Sequence, residues 1–330
     1  MSARRVASLL WIAALGGSLQ VQAAPDDGLR GVWTAERSRW KVETSGKGAQ
    51  TATLVQLTLR RTGGRGHWDT TQTVTLDDLS GLEAAQLDAT TATVRFAWKR
   101  DAGSFDFTGG FSSGDGAGHF TFSPSAGYVA DMKKRGYGDT DEEKVLQLAL
   151  HDVSRVFIDD LATLGYSKAS LDELMTLRIH GATADYIRGL QALGFRQLPL
   201  DKIVAFRIHG ASLEFVRGMQ ALGYTNLKPD QLVSFRIHGV SPEFVKELKA
   251  QGYDRFDPEE LVGMRIHGVS PEFVKELKAL GYSNLSADVL QSLRIHGVSP
   301  EFIRRVQSRS GKAVTVDRLV SMRIHGQEAE

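Results

Sequence analysis

Residues 268–296 read Gly-Val-Ser-Pro-Glu-Phe-Val-Lys-Glu-Leu-Lys-Ala-Leu-Gly-Tyr-Ser-Asn-Leu-Ser-Ala-Asp-Val-Leu-Gln-Ser-Leu-Arg-Ile-His. The motif Arg-Ile-His-Gly, which ends this stretch and leads into the next, occurs six times at 29-residue intervals, beginning at Arg178, Arg207, Arg236, Arg265, Arg294 and Arg323. A fixed period of this length is typical of a repeat protein, in which each copy is one supersecondary unit. The period therefore decides the architecture of this part of the chain.

Each copy contains the signals of two short helices. Ser270 and Pro271 are a typical N-cap and first helical residue, and Gly281 suits the left-handed position that ends a helix. The second helix begins most clearly at Asp257–Glu260, where a cap, a proline and a capping-box acid coincide. Helices of about ten residues are marginal alone, so each pair must pack against its neighbours. We predict an α-solenoid of two-helix repeats.

A leucine-rich-repeat-like array is the alternative fold. Leu290, Leu293 and Ile295 have the spacing of the strand segment in such repeats, whose period can reach 29 residues. In that fold Arg294 and His296 would lie about 4.8 Å from their counterparts on neighbouring strands, and like charges would stack. This repulsion favours the helical interpretation.

The repeats extend beyond the six clear motifs. His151 lies 29 residues before His180, and the pattern begins near Tyr128. We expect an array of about seven repeats in residues 125–326, followed by a polar tail at 327–330. Degenerate copies at the ends are expected, because terminal repeats act as caps.

The composition of residues 25–124 differs from that of the array. Val94, Phe96 and Trp98 alternate with polar residues, as they do in a half-buried strand. Glycine clusters at 63–66 and 114–118 are typical of hairpin connections. We predict an antiparallel meander forming a small β barrel or sandwich, so the whole chain is an α+β multidomain protein.

The N-terminal residues predict export. Arg4 and Arg5 precede an apolar run at residues 6–19 and a small-residue site at Val21–Ala23. This is the pattern of a signal peptide comprising residues 1–23, with cleavage after Ala23 and a periplasmic or secreted product. We expect no integral membrane segment after signal removal, since no later stretch reaches about 18 apolar residues.

The composition excludes some classes of function. The chain contains no cysteine, which excludes disulfides, a lipoprotein anchor and thiol catalysis. Its formal net charge of +1 gives no electrostatic reason to expect nucleic acid as a partner. We predict no cofactor.

Histidine recurs in phase with the repeat, which raises the question of a metal site. Equivalent positions in neighbouring helices lie about 9–10 Å apart, whereas metal ligands lie within about 2.3 Å of the ion. We interpret these histidines as structural residues that end an apolar stripe and bond to a nearby carbonyl; a pH-sensitive or metal-loaded ladder is the alternative. They are His151, His180, His209, His238, His267, His296 and His325.

The phased arginines, Arg178 to Arg323, have a similar structural interpretation. They occupy helix C-terminal positions, where a cation favours the negative end of the dipole. We expect them to pair with acids such as Glu243, Glu272 or Glu301. The alternative is a row of guanidinium groups that recognises an acidic partner.

One motif resembles a catalytic site. Residues 110–114 read Gly-Phe-Ser-Ser-Gly and match the nucleophile elbow of hydrolases, which requires a strand, a sharp turn and then a helix. Here a strand-like segment follows instead. His67 and His119 have no accompanying carboxylate pattern. We predict no catalytic residue and a non-enzymatic protein.

The Gly-Val-Ser-Pro-Glu-Phe-Val-Lys-Glu-Leu-Lys-Ala-Leu-Gly-Tyr array follows a Gly-x-Trp β domain that ends in Phe120-Thr121-Phe122. From about Gly31 to Gly326, the chain resembles the extracytoplasmic C-terminal regions of some bacterial membrane metallopeptidases of the beta-lactam-sensor type. It lacks their membrane helices and zinc-peptidase motif, so the resemblance implies neither proteolysis nor a zinc site. What it implies is an exported sensing or docking module.

We therefore predict that the array is a scaffold for a protein or peptide partner. First-helix positions differ between copies, since Lys246 and Lys249 of one copy correspond to Arg217 and Gln220 of another. The candidate interaction face comprises Arg217, Gln220, Lys246, Glu247, Lys249, Lys275, Glu276 and Lys278.

A small-molecule carrier is the second hypothesis. In that case aromatic side chains would line a cavity in the β domain rather than fill its core. The candidates are Trp33, Trp40, Trp68, Phe96 and Trp98.

Overall fold

The computed structural model describes residues 29–37, 42–43, 51–63, 66–254 and 256–326. The chain divides into two compact units, residues 1–99 with 103–125, and residues 100–102 with 126–330. The predicted fold class is confirmed, because a β unit precedes a helical repeat array. The predicted signal peptide, Trp40 and the polar tail lie outside the described residues.

The first unit is built on a curled, half-barrel antiparallel sheet of seven strands, in the order β5-β4-β1-β9-β8-β7-β6. Two further short strands, β2 and β3, pair with each other. The described strands are β1 (Leu29–Arg37), β2 (Val42–Glu43), β3 (Thr51–Ala52), β4 (Leu54–Gly63), β5 (Gly66–Thr75), β6 (Leu79–Ser80), β7 (Ala92–Arg100), β8 (Gly103–Ser112) and β9 (Asp115–Pro124), with one short helix, α1 (Ala84–Asp88).

The sheet departs from the predicted meander at its first strand. In β1, Trp33 pairs with Leu59 of β4 on one side and with Gly118 of β9 on the other. An interior strand bonds its backbone groups on both edges, which the alternation of side chains does not reveal. The predicted apolar face is present, since Val94, Phe96 and Trp98 are all buried.

Only part of the predicted 114–118 connection is a turn. Ser112 pairs with Asp115, so the hairpin turns at Ser113 and Gly114. Gly116 and Gly118 lie inside β9. Together with Gly109 of β8, they leave space for the indole ring of Trp33. A Cβ at any of these three positions would lie 2.7–2.8 Å from the Trp33 ring.

The second unit is an array of helix pairs. Its described residues form fourteen helices, and we call the two members of each pair the first helix and the second helix. The first helices are α2 (Ala126–Lys134), α4 (Arg155–Leu161), α6 (Ala184–Ala192), α8 (Leu213–Ala221), α10 (Pro242–Ala250), α12 (Pro271–Ala279) and α14 (Pro300–Ser310). The second helices are α3 (Glu142–Leu150), α5 (Leu171–Ile179), α7 (Leu200–Ile208), α9 (Pro229–His238), α11 (Pro258–Ile266), α13 (Ala287–Ile295) and α15 (Val316–Ile324).

The helix boundaries follow the predicted signals. The Ser270 hydroxyl accepts a hydrogen bond from the Phe273 amide at 3.1 Å, and the Asp257 amide donates to Glu260 Oε2 at 2.7 Å. Gly281 adopts the left-handed conformation, with a φ of 91°. The leucine-rich-repeat alternative is wrong, because its strand segment lies within helix α13.

Helices of one kind pack on helices of the same kind in the next repeat, which gives a first-helix layer and a second-helix layer. In the repeat quoted at the outset, α12 buries Phe273, Val274 and Leu277, and α13 buries Leu290 and Leu293. Throughout the described part of the chain, every helix is too short or too polar to span a bilayer.

Candidate interaction surface

The phased arginines join consecutive repeats. Arg207 places its guanidinium 4.9 Å from the centre of the Tyr186 ring, on the first helix of its own repeat. Its Nε donates to the carbonyl of His180, at the end of the second helix of the preceding repeat, at 3.2 Å. All six arginines stack on a ring in this way at 4.9–5.2 Å, on Phe157, Tyr186, Phe215, Phe244, Phe273 and Phe302. Arg178, Arg207 and Arg236 also bond to the carbonyl end of the preceding second helix, which a cation stabilises.

The predicted pairing of these arginines with Glu243, Glu272 and Glu301 is wrong. Glu272 lies 3.5 Å from Lys275 and Glu301 lies 3.6 Å from Arg304, each on its own helix. Arg178 does bind an acid, Asp152, at 2.6 Å. The rings that hold the arginines are distant in sequence, so spacing along one helix could not identify them.

The histidines also differ from the prediction. Among the described residues, no hydrogen bond joins any of the seven imidazoles to a carbonyl, and the side chains of His209, His267 and His296 are exposed. The buried stripe of α13 passes through Leu290 and Leu293 and leaves His296 outside it. It is the main-chain carbonyl of the histidine that has a structural partner, the arginine of the next repeat.

His151 is half-buried, as are His180 and His238. The pKa of His151 is shifted. Burial lowers its pKa, and the positive charge of Arg178 lowers it further. The described residues contain no cluster of three histidine or carboxylate side chains placed to hold a metal ion.

A second set of bonds joins the first helices and includes part of the predicted interaction face. Gln220 donates to the carbonyl of Leu193 at 2.9 Å, and Lys249 donates to that of Leu222 at 2.8 Å. Lys278 donates likewise to Gln251 at 3.3 Å. These three residues cap the preceding first helix, so the variation between glutamine and lysine preserves a donor.

The other five members of the predicted face fall into two groups, one bonded to the next repeat and one exposed. Glu276 accepts a hydrogen bond from Arg304 of the next repeat at 2.8 Å. Exposed charged side chains remain at Arg217, Lys246, Glu247 and Lys275. Isolated charges of this kind contribute little to binding, because water screens them.

The structure exposes an apolar surface that was not predicted from the sequence. The isoleucine of every Arg-Ile-His-Gly motif is 51–56% exposed. These side chains form the isoleucine row, one near the C-terminal end of each second helix from α5 to α15: Ile179, Ile208, Ile237, Ile266, Ile295 and Ile324. An exposed isoleucine gains nothing from packing and is not a favoured helix residue. Its recurrence in all six motifs therefore indicates a role at the surface.

The isoleucine row has apolar neighbours. Four residues earlier, and so on the same helix face, lies a half-buried apolar side chain in five of the six helices. Three residues earlier lies a small residue in all six. The apolar set is Met175, Val204, Val233, Val262 and Val320; the small set is Thr176, Ala205, Ser234, Gly263, Ser292 and Ser321.

A groove of about 250 Å³ lies between the adjacent second helices α13 and α15, and the small residues Ser292 and Ser321 are part of its lining. Its apolar lining comes from Val289, Val316, Val320 and Ile324, with Asp317 and His325 on the first and last turns of α15. A volume of this order accommodates one large apolar side chain.

An acidic residue stands at the other end of every second-helix face. It lies seven residues before the isoleucine, about two turns away on the same side of the helix. The six are Asp172, Asp201, Asp230, Glu259, Asp288 and Asp317, all exposed. Asp230 binds Lys202 at 2.6 Å, whereas no cation of the described residues pairs with Asp288 or Asp317.

In the β unit, the predicted carrier residues pack on one another. Phe96 lies 5.3 Å from Trp33 and 4.6 Å from Phe107, measured between ring centres. Trp98 lies 5.4 Å from Phe105. Trp68 is half-buried. The described aromatic side chains thus fill a core, and no observation on them favours a carrier.

The residues of the elbow-like motif lie in a hairpin. Ser112 ends β8, and its hydroxyl donates to the carbonyl of Thr90 at 3.0 Å. A turn and strand β9 follow, as the sequence predicted, and His119 lies exposed on β9. The His67 side chain lies outside the described residues.

The chain matches no known protein-family model and no curated protein sequence. Its side-chain geometry is therefore the basis of the functional argument.

Proposed function

We propose that this protein is a non-enzymatic docking scaffold, which binds a polypeptide partner on the isoleucine row. The observation that carries the proposal is the recurrence of an exposed isoleucine at the same place in six consecutive repeats. Apolar surface of this regularity marks an interaction site in preference to a chance exposure. The predicted signal peptide and the sequence resemblance support an exported protein with a sensing or docking role.

The energetics favour a partner that covers several repeats. Complete burial of one isoleucine contributes about 1.5–3 kcal/mol. Association costs on the order of 4–15 kcal/mol in lost freedom of motion. Three or more members of the row must therefore act together, which an extended array permits.

The isoleucine row replaces the first-helix face as the proposed binding surface. On the first-helix face, Gln220, Lys249 and Lys278 already bond to the preceding repeat. The phased arginines likewise stack on rings, and so they are less available to an acidic partner.

Site-specific photo-crosslinking of the full-length protein tests the proposal. A photoreactive amino acid replaces Ile266 or Ile295 in one pair of variants, and Lys246 or Lys275 in a control pair. We expect a polypeptide from the producing cells to crosslink at the isoleucine positions, and excess unlabelled wild-type protein to compete it away.

The competitor provides the control. A triple variant carrying Ile266→Ser, Ile295→Ser and Ile324→Ser should compete poorly. Equal crosslinking at the lysine positions, together with full competition by the triple variant, would contradict the proposal.

A further inference from the structure

The isoleucine row repeats at the spacing of an extended peptide. Adjacent second helices pack directly on one another, which sets their axes about 8–10 Å apart. A polyproline II chain rises about 3.1 Å per residue and completes a turn in three residues, so every third side chain recurs at about 9.3 Å. One apolar side chain in three therefore meets successive members of the isoleucine row.

An extended chain also fits the array better than a helix does. A helical partner presents side chains at about 10.5 Å after seven residues, but it must stay straight while the repeats rotate relative to one another. A polyproline II chain has a backbone that is fully solvated and makes no internal hydrogen bonds. It can follow the array and needs no backbone partners on a surface lined by valine and isoleucine.

The charge beside the grooves indicates which residues lie between the apolar ones. Asp317 lines the same groove as Val320 and Ile324. The equivalent carboxylate recurs on the six second helices from α5 to α15, and those of Asp288 and Asp317 have no cation partner among the described residues.

The positive charge of Arg323, on the last turn of α15, is engaged elsewhere. Its guanidinium lies over the ring of Phe302, on the first helix of the same repeat. A cationic ligand therefore meets the unpaired carboxylate of Asp317 at one end of the groove between α13 and α15, whereas an anionic ligand meets repulsion there.

We infer that the ligand is a basic extended peptide segment with a large apolar residue at every third position and lysine or arginine between. Its apolar side chains occupy the grooves between successive second helices, and its cations lie towards the row from Asp172 to Asp317. The inference rests on the docking function proposed above and specifies the chemistry of the partner. The gap between α11 and α13 differs from the others, because Gln291 packs over Gly263 there.

Selection from a library of random 12-residue peptides tests this inference. Such a peptide spans about 37 Å in the polyproline II conformation, enough for about four grooves. The full-length protein is the target, and the Ile266→Ser, Ile295→Ser, Ile324→Ser triple variant is used for counter-selection. We expect enriched sequences with an aliphatic or aromatic residue at every third position and basic residues between them.

Fluorescence anisotropy with the synthesised peptides then measures each contribution. We expect binding at least tenfold weaker to the triple variant and about three- to tenfold weaker to an Asp288→Asn, Asp317→Asn variant at low salt. Val156→Ser is the matched control, because Val156 is 70% exposed but lies on first helix α4. Its affinity should equal that of the wild type.

Three outcomes overturn the inference. They are enrichment of apolar residues at helical spacing, enrichment of acidic peptides, and a library that yields no peptide dependent on the row. None of these outcomes decides the docking function itself. That function is tested by the crosslinking at Ile266, which does not depend on the form or charge of the partner. The two proposals can therefore fail separately.

Discussion

The guanidinium of Arg236 lies 5.0 Å from the centre of the Phe215 ring, on the first helix of the same repeat. Its Nε also donates to the carbonyl of His209, at the end of the preceding second helix, at 3.3 Å. One side chain thus joins the first helix of its own repeat to the second helix of the preceding repeat. The ring contact recurs for all six arginines, and the carbonyl bond for Arg178, Arg207 and Arg236, which gives the arginine of the motif a structural role.

Replacing Arg236 should therefore weaken the array. We expect Arg236→Gln to lower the free energy of unfolding by about 1–2 kcal/mol, through loss of the cation–π contact and the charged hydrogen bond. Urea unfolding measures the change. Arg217→Gln is the matched control, since Arg217 is exposed, and it should stay within about 0.5 kcal/mol of the wild type. Equal losses for the two variants would refute the structural role of Arg236.

Lys249 tests the bonds between first helices. We expect Lys249→Ala to destabilise the protein by about 1 kcal/mol, because the carbonyl of Leu222 loses its donor. Lys249→Gln should retain most of the stability, since glutamine makes this bond at Gln220. The comparison uses thermal unfolding. If alanine and glutamine behave alike, the bond does not contribute as the geometry indicates.

Gly116 tests the packing of the β unit. A Cβ there would lie 2.6 Å from the Phe111 ring and 2.8 Å from Trp33, both of which are buried. We expect Gly116→Ala to cost about 1–3 kcal/mol through overpacking and to change the near-ultraviolet circular dichroism of the tryptophan. Gly114→Asn is the control, because its turn position is open and asparagine tolerates positive φ. It should have the smaller effect.

His151 should make stability depend on pH. Burial holds its pKa below the value of about 6.5 that it regains on unfolding. As the pH falls below about 6.5, the unfolded chain takes up a proton more readily than the folded protein, so stability decreases towards acid. Urea unfolding at pH 7.5 and pH 5.0 should show a larger acid-induced loss for the wild type than for His151→Gln. Identical losses would show that this imidazole is not the titrating group.

The repeat architecture could be predicted because its signals are local. Ser270, Pro271 and Gly281 fix helix ends through their own backbone chemistry, and the 29-residue period copies those signals along the chain. The inter-repeat contacts could not be predicted from spacing within one helix. Arg236 and the carbonyl of His209 meet only when two helix pairs stack, and nothing local to either residue specifies that contact.

The isoleucine row was missed because a nine-residue helix defines its buried face poorly. The prediction placed His296 at the end of the apolar stripe of α13, whereas the buried residues of that helix are Ala287, Leu290 and Leu293. That phase turns Ile295 towards solvent and removes His296 from the core. The sequence did contain a signal for the row. An isoleucine occupies the position of Ile295 in all six motifs, as strictly as an arginine occupies the position before it.

The most direct test of the central claim is the affinity of the polypeptide that crosslinks at Ile266. Biolayer interferometry would compare its binding to the wild type, to the Ile266→Ser, Ile295→Ser, Ile324→Ser variant and to Val156→Ser. The docking function predicts at least tenfold weaker binding to the triple variant, with unchanged thermal stability, and wild-type affinity for Val156→Ser. Equal affinity for all three proteins would contradict docking on the isoleucine row.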